Sequence, residues 1–219
     1  MTFFIDLDGT LIDSKKRHYI LIENLLKKYD VNITINKKEY LKFKENGNNN
    51  YKYLTNILKI DTKKAKLICR EWKEQIEDFN YIKMDELYFD TLIFLEKIKK
   101  NNKIIYLTAR QNTINLIKEL KMLNIYNKNI FIKKVNPKFS SELKDKYIKK
   151  YIKKTKEDKI NYCIIGDTEN ELHAALNNNI SFYILNRGFR SKEYLEKYNI
   201  KTYNDLEEIY ERIKLDGKL

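Results

Sequence analysis

Two carboxylates stand two residues apart where a short apolar run ends. Thr2-Phe3-Phe4-Ile5 leads into Asp6-Leu7-Asp8-Gly9-Thr10-Leu11-Ile12-Asp13-Ser14. Residues i and i+2 share one face of an extended chain, and Gly9 lets the backbone turn directly after the second carboxylate. A solvated Asp-Gly turn would explain Asp8 and Gly9. It would explain neither Asp6 at the end of an apolar run nor the Thr10 and Asp13-Ser14 that follow, so this segment is the candidate active site.

Two later segments repeat the arrangement. Lys103-Ile104-Ile105-Tyr106-Leu107 is β-branched and aromatic, and Thr108-Ala109-Arg110 comes next, then a helical pattern in Ile114, Ile117, Leu120 and Leu123. A hydroxyl at a strand's carboxyl end, with the first amides of the following helix, can hold a phosphoryl oxygen, because helix N-termini present unpaired N–H groups. Asn161-Tyr162-Cys163-Ile164-Ile165 leads into Gly166-Asp167-Thr168-Glu169-Asn170-Glu171. Asp167 would be a third oxygen donor for a hard divalent cation, and the acids from 168 to 171 also suit a helix N-terminus.

These residues need a scaffold that brings three strand ends together. Strand candidates at 2–5, 103–107, 129–132, 161–165 and 181–185 alternate with helical stretches from residue 103 onward, which predicts a parallel sheet with helices on both faces. Right-handed crossovers would place the first strand centrally, so Asp6, Thr108 and Asp167 converge on one edge. Residues 15–85 interrupt the alternation with helical stripes: Ile20, Ile22, Leu25 and Leu26, then Tyr53, Leu54, Ile57 and Leu58, then Ala65, Ile68, Trp72 and Ile76. The Gly- and Asn-rich stretch from Glu45 to Asn50 would divide them.

Asp6 to Ser14 resembles the first motif of the haloacid dehalogenase (HAD) superfamily, Asp-x-Asp-Gly-Thr-Leu-x-Asp-Ser, with every specified position filled. Thr108 resembles its second motif and Gly166-Asp167 its fourth, with Glu171 where Asp is usual. The resemblance is to the branch that includes phosphoglycolate phosphatases and β-phosphoglucomutase. It implies an α/β fold, a Rossmann-like parallel core over residues 1–14 and 86–219, and an inserted α-helical cap over 15–85 that excludes water and selects the leaving group. It implies Asp6 as a nucleophile, ionised at neutral pH, and Asp8 as general acid and base, its pKa raised by neighbouring carboxylates. Mg²⁺ would be held by Asp6, the Asp8 backbone carbonyl and Asp167, and phosphate by Thr108, Ala109 and a motif lysine. Spacing in the family pattern favours Lys144, which would open a helix 23 residues before Asp167 with Tyr147, Ile148, Tyr151 and Ile152 behind it; Lys146 is the alternative. Glu171 would support from further out, and Arg110 and His18 are candidates for the leaving group. The implied activity is a Mg²⁺-dependent phosphatase acting on a small phosphorylated metabolite. A sugar phosphomutase or a nucleotidase is the alternative, with Thr10 pointing toward phosphatases. Asp8 argues against the dehalogenases, which lack it.

Composition excludes more than it assigns. The five glycines stand at 9, 47, 166, 188 and 217, so neither Gly-x-Gly-x-x-Gly nor a P-loop is present. The net charge of +13 comes with lysines scattered through nearly every helix and no arginine-rich arm, so nucleic acid is not the expected partner. Cys69 and Cys163 are far apart and form no Cys-x-x-Cys pair, and His18 and His173 are the only histidines, which argues against zinc. With no signal-peptide core and no apolar run of membrane-spanning length, a reducing cytoplasm is the expected compartment. The oligomeric state is not legible.

Overall fold

A computed structural model describes residues 1–126 and 140–219. Five strands form one parallel sheet: β1 (Thr2–Ile5), β4 (Lys103–Tyr106), β5 (Tyr162–Gly166), β6 (Ser181–Leu185) and β7 (Thr202–Tyr203), in the order β4-β1-β5-β6-β7. β1 is interior, paired with β4 and β5, whereas the middle of the five is β5. The expected strand at 129–132 lies outside the described residues. β7 was not legible because two residues carry no periodicity.

The central strands are buried on both faces, their successive side chains alternating between two cores as a sheet covered on both sides requires. Phe3, Ile5, Ile104, Tyr106, Cys163 and Ile165 face one hydrophobic cluster, completed by α6 (Thr91–Lys99), α7 (Thr113–Met122) and α11 (Leu206–Leu215). Phe4, Ile105, Leu107, Tyr162 and Ile164 face the other, completed by α8 (Ser140–Thr155) and α9 (Glu169–Asn178). On α8 the expected apolar stripe is present: Tyr147, Ile148 and Tyr151 are buried and Ile152 packs beside them.

Between β1 and β4 the chain is helical: α1 (Lys15–Lys28), α2 (Lys37–Glu45), α3 (Asn50–Lys52) running into one π-helical stretch, α4 (Thr62–Gln75) and α5 (Phe79–Ile82). These helices bury a third cluster of their own, from Leu21, Ile22, Leu25, Tyr40, Leu54 and Ile68 among others, with no sheet residue in it. The chain crosses into and out of this region through two short antiparallel strands, β2 (Ile12–Asp13) and β3 (Glu86–Leu87). α10 (Lys192–Leu195) follows β6. Cys69 and Cys163 are free thiols.

Candidate active site

The strand ends converge as the register demands. Asp6 N–H donates to the Ile165 carbonyl (2.9 Å) and Leu107 N–H to that of Ile5 (2.8 Å), so Asp6, Thr108 and Asp167 leave three adjacent strands together. Gly9 has φ +85°, and a Cβ there would lie 2.3 Å from Asp167 Oδ2; one on Gly188 would lie 2.1 Å away. Glycine is therefore required on both sides for the backbone to approach the carboxylate. Thr10 Oγ1 donates to Asp167 Oδ1 (3.4 Å) and Phe189 N–H to Oδ2 (2.5 Å).

Lys144 lies one turn into α8 rather than opening it. Its buried ammonium is 2.5 Å from Asp6 Oδ1 and 2.5 Å from Glu171 Oε1, whereas Lys146 is exposed and faces Glu142. Glu171 does two jobs. Its second oxygen accepts from Thr168 N–H (3.2 Å) and Oγ1 (2.6 Å), closing a capping box at the start of α9, while the first holds Lys144. The longer side chain makes this possible, folded over the space that a Cβ on Gly166 would fill.

The environment of Asp8 differs from the expected one. Arg110 donates through Nε to Asp8 Oδ2 (2.6 Å) and through a terminal nitrogen to Oδ1 (2.7 Å), and Arg17, on α1, reaches Oδ1 at 2.5 Å. Burial pushes the Asp8 carboxyl up, but the two guanidiniums outweigh it and hold the group well below the usual carboxylate range. The expectation of a raised value fails because arginines, not carboxylates, are its nearest neighbours. Arg110, expected near a leaving group, is instead buried and also donates to Glu119 (3.0 Å) and Asp85 (3.3 Å), while Arg17 lies 3.2 Å from Asp85. Sequence reading missed Arg17, Asp85 and Glu119: Arg17 with Asp8 and Glu119 with Arg110 are nine residues apart, a spacing with no helical or strand period, and Asp85 lies 25 residues from Arg110.

Two guanidiniums thus meet three carboxyls. Asp85 is pushed up to about 9, by burial first and then by Asp8 and Glu119, against the two arginines, so at neutral pH it holds a proton. A carboxyl raised in the fold contributes most stability below its unfolded value near 3.8 and loses it as pH rises toward 9. Asp85→Asn, which imitates the protonated form, is expected to remove that decline, so the variant gains on the parent between pH 5 and 8 in urea denaturation. Parallel pH profiles of the two proteins would refute this.

Thr108 is buried and its hydroxyl accepts from Arg110 N–H (3.2 Å); Ala109 beside it is half-buried. The amides expected to hold a phosphoryl oxygen are partly taken. Those of Gln111 (2.8 Å) and Asn112 (2.5 Å) donate to the Glu77 carboxylate, which no periodicity or motif had marked. His18 sits within α1, its ring 4.7 Å from that of Phe189 and 5.1 Å from that of Trp72. Arg187 pairs with Asp90 (2.7 Å) and Arg190 with Glu169 (2.6 Å), so neither is free for a ligand as placed.

The sequence profile of haloacid dehalogenase-like hydrolases matches residues 3–185. The chain belongs to this family. A haloacid dehalogenase-like hydrolase from Streptococcus pneumoniae shares the fold with a TM-score of 0.76 at 17% identity, covering 97% of both chains. A predicted phosphatase from Clostridium acetobutylicum gives 0.70 at 20% identity, again over 97% of each chain. A predicted phosphoglycolate phosphatase from Haemophilus somnus gives 0.72 at 16%, over 96% of each. At these identities the likeness is one of fold. No curated protein matches.

The family's use of a divalent cation can be set against this chain's donors. Among the described residues no three His, Cys, Asp or Glu side chains converge on one point, so a cation would rest on two carboxylates, Asp6 and Asp167, with the Asp8 carbonyl. The donor set is all hard oxygen, and it is short of positive charge. Asp6 is pushed up to about 7, chiefly by burial and then by Glu171, with Lys144 opposing. Asp167 is pushed well above the carboxylate range by burial, Asp6 and Glu171. Burial thus sets the Asp6 carboxyl above the value of the free amino acid from which its ionisation was expected. The residues fit a small hard cation, which would favour both ionised carboxylates.

Proposed function

We propose that this chain is a Mg²⁺-dependent phosphomonoester hydrolase acting on a small phosphorylated metabolite, with the helices over 15–85 serving as a cap. The observation that carries this reading is the placement of Asp6, at a strand end, against the buried Lys144 ammonium at 2.5 Å and beside Asp167 on the next strand. Asp6, Asp167 and the Asp8 carbonyl would hold Mg²⁺, which would neutralise charge on the phosphoryl oxygens.

An Asp6 carboxylate oxygen attacks phosphorus as the ester P–O bond breaks and a protonated Asp8 gives its proton to the departing oxygen, leaving an aspartyl phosphate, the free alcohol and an ionised Asp8. Thr108, the Ala109 amide and Lys144 receive the equatorial oxygens, and Glu171 keeps Lys144 aimed. Water then attacks phosphorus, its proton passes to Asp8, and the bond to Asp6 breaks to release inorganic phosphate. With both arginines engaged, Asp8 is ionised and suited to this second half. Protonating the leaving oxygen in the first half needs Asp8 to lose a guanidinium, and Arg17 is the one that movement of the helical region would withdraw.

Purified protein is expected to release phosphate from p-nitrophenyl phosphate with Mg²⁺ and to lose that activity in EDTA, regaining it when Mg²⁺ is restored. Undiminished turnover in EDTA would overturn the metal assignment. Conversion of a hexose 1-phosphate to its 6-phosphate without phosphate release would establish a mutase instead.

A further inference from the structure

The Asp167 carboxylate is gripped from two loops that leave different strands. Thr10, after β1, donates its hydroxyl to Oδ1 (3.4 Å), and the Phe189 amide, after β6, donates to Oδ2 (2.5 Å). Gly9 and Gly188 let both loops close on the carboxylate. An aspartate held through both oxygens has its terminal torsion set by those donors, so its aim follows from how the two loops sit against each other.

Arg187 ties those loops together. One terminal nitrogen of its guanidinium donates to the Thr10 carbonyl (3.1 Å) and to Asp90 Oδ1 (2.8 Å), and the other donates to Asp90 Oδ2 (2.7 Å). Its own carbonyl accepts from the Lys15 ammonium (2.8 Å) and the Tyr88 hydroxyl (3.4 Å), which fixes the chain two residues before the Phe189 amide. Asp90 is anchored in turn by Leu206 N–H (2.7 Å) at the start of α11. Arg187 Nε is left buried without a partner. Buried polar groups are ordinarily paired, so the guanidinium is oriented by what its two terminal nitrogens hold and not by its own saturation. Such a fork fixes direction as well as charge, which an ammonium does not.

We propose that Arg187 is a positioning residue for the metal site: through the Thr10 carbonyl on one side and the peptide leading to Phe189 on the other, it holds the Asp167 carboxylate in the orientation that receives the cation. The proposal rests on the reading of Asp167 as a metal ligand. The side-chain hydrogen bonds of Arg187 go to Asp90 and Thr10 and none to Asp167, so the effect is one of geometry. Groups that orient a metal ligand from outside the ligand set are typically worth about 10- to 100-fold in metal affinity.

Calorimetric titration of the metal-free protein with Mg²⁺ reads this without turnover. Arg187→Lys keeps a cation for Asp90 but has no second arm for Thr10, and is expected to weaken Mg²⁺ binding by about 10-fold; Arg187→Met should weaken it further, toward about 100-fold. In hydrolysis of p-nitrophenyl phosphate the Mg²⁺ concentration for half-activation should rise in step, while saturating Mg²⁺ restores most of kcat, a split that general damage to the fold does not give. Thr10→Val removes the hydroxyl at Asp167 and should also weaken binding. Combined with Arg187→Lys it should cost less than the two losses together, because both act on the same carboxylate. Parent affinity in both Arg187 variants overturns the proposal. So does parent affinity in Arg187→Lys alone, which would make charge sufficient, or strict additivity with Thr10→Val, which would place Arg187 on another route. A parent protein that binds no Mg²⁺ overturns the metal reading and the proposal together. Arg187-dependent Mg²⁺ binding without turnover of any ester overturns the phosphatase reading and sustains the role of Arg187.

Discussion

Asp6→Asn is expected to cut turnover of p-nitrophenyl phosphate by about 10⁴-fold or more, the scale on which removal of a nucleophile acts. An amide cannot accept and then release the phosphoryl group, and Glu171, the other carboxylate beside Lys144, is held by Thr168 at the start of α9. The same substitution is expected not to weaken the metal-free fold. Asp6 has its pKa raised in the fold to about 7, so between its unfolded value near 3.8 and that pH its ionisation lowers stability, and a neutral side chain does not. Lys144 keeps Glu171 as a partner. Phosphate release and thermal unfolding measured on one preparation test both halves. A variant that keeps turnover sinks the nucleophile; one that is dead but has lost its fold leaves stability as the cause.

Arg110→Met is expected to destabilise the protein by about 3–5 kcal/mol, as removing one partner of a buried ionic cluster does. The guanidinium spans Asp8, Glu119 and Asp85, and the side chains of Glu119 and Asp85 are wholly buried, so neither of these two can turn to water for compensation. Midpoints of urea unfolding measure the loss. The double variant Arg110→Met with Glu119→Leu should recover part of it, because a buried carboxylate without a partner goes with the cation. A change below about 1 kcal/mol in the single variant would show that Arg17 alone suffices for the cluster.

What was legible in the sequence follows from how local each signal is. β1, β4, β5 and β6 were readable because each is a short β-branched or aromatic run closed by a turn or a functional residue, Asp8 and Asp167 because glycine follows or precedes them at once, and Asp6 because it ends an apolar run two residues before Asp8. Lys144 could be separated from its neighbours only through a family spacing, yet burial distinguishes it sharply from Lys146. The ion cluster was illegible. Arg110 and Asp8 are 102 residues apart, Gln111 and Glu77 are 34 apart, and nothing in either neighbourhood announces the other. The pKa of Asp8 was misjudged for the same reason: the contacts that set it are tertiary.

Arg17 has one further implication. From α1 it touches Asp8 in the loop after β1, the Ile76 carbonyl at the end of α4, and Asp85 where the chain returns to β3. Entry to the helical region, exit from it and the Asp8 carboxylate thus share one guanidinium. The helical region is consequently not an exchangeable module. Grafting a relative's helices onto this sheet would bring whatever residue that relative has in place of Arg17, leaving Asp8 with Arg110 alone even if every hydrophobic contact were reproduced. A functional chimera would have to carry residues 17, 85 and 110 as a set.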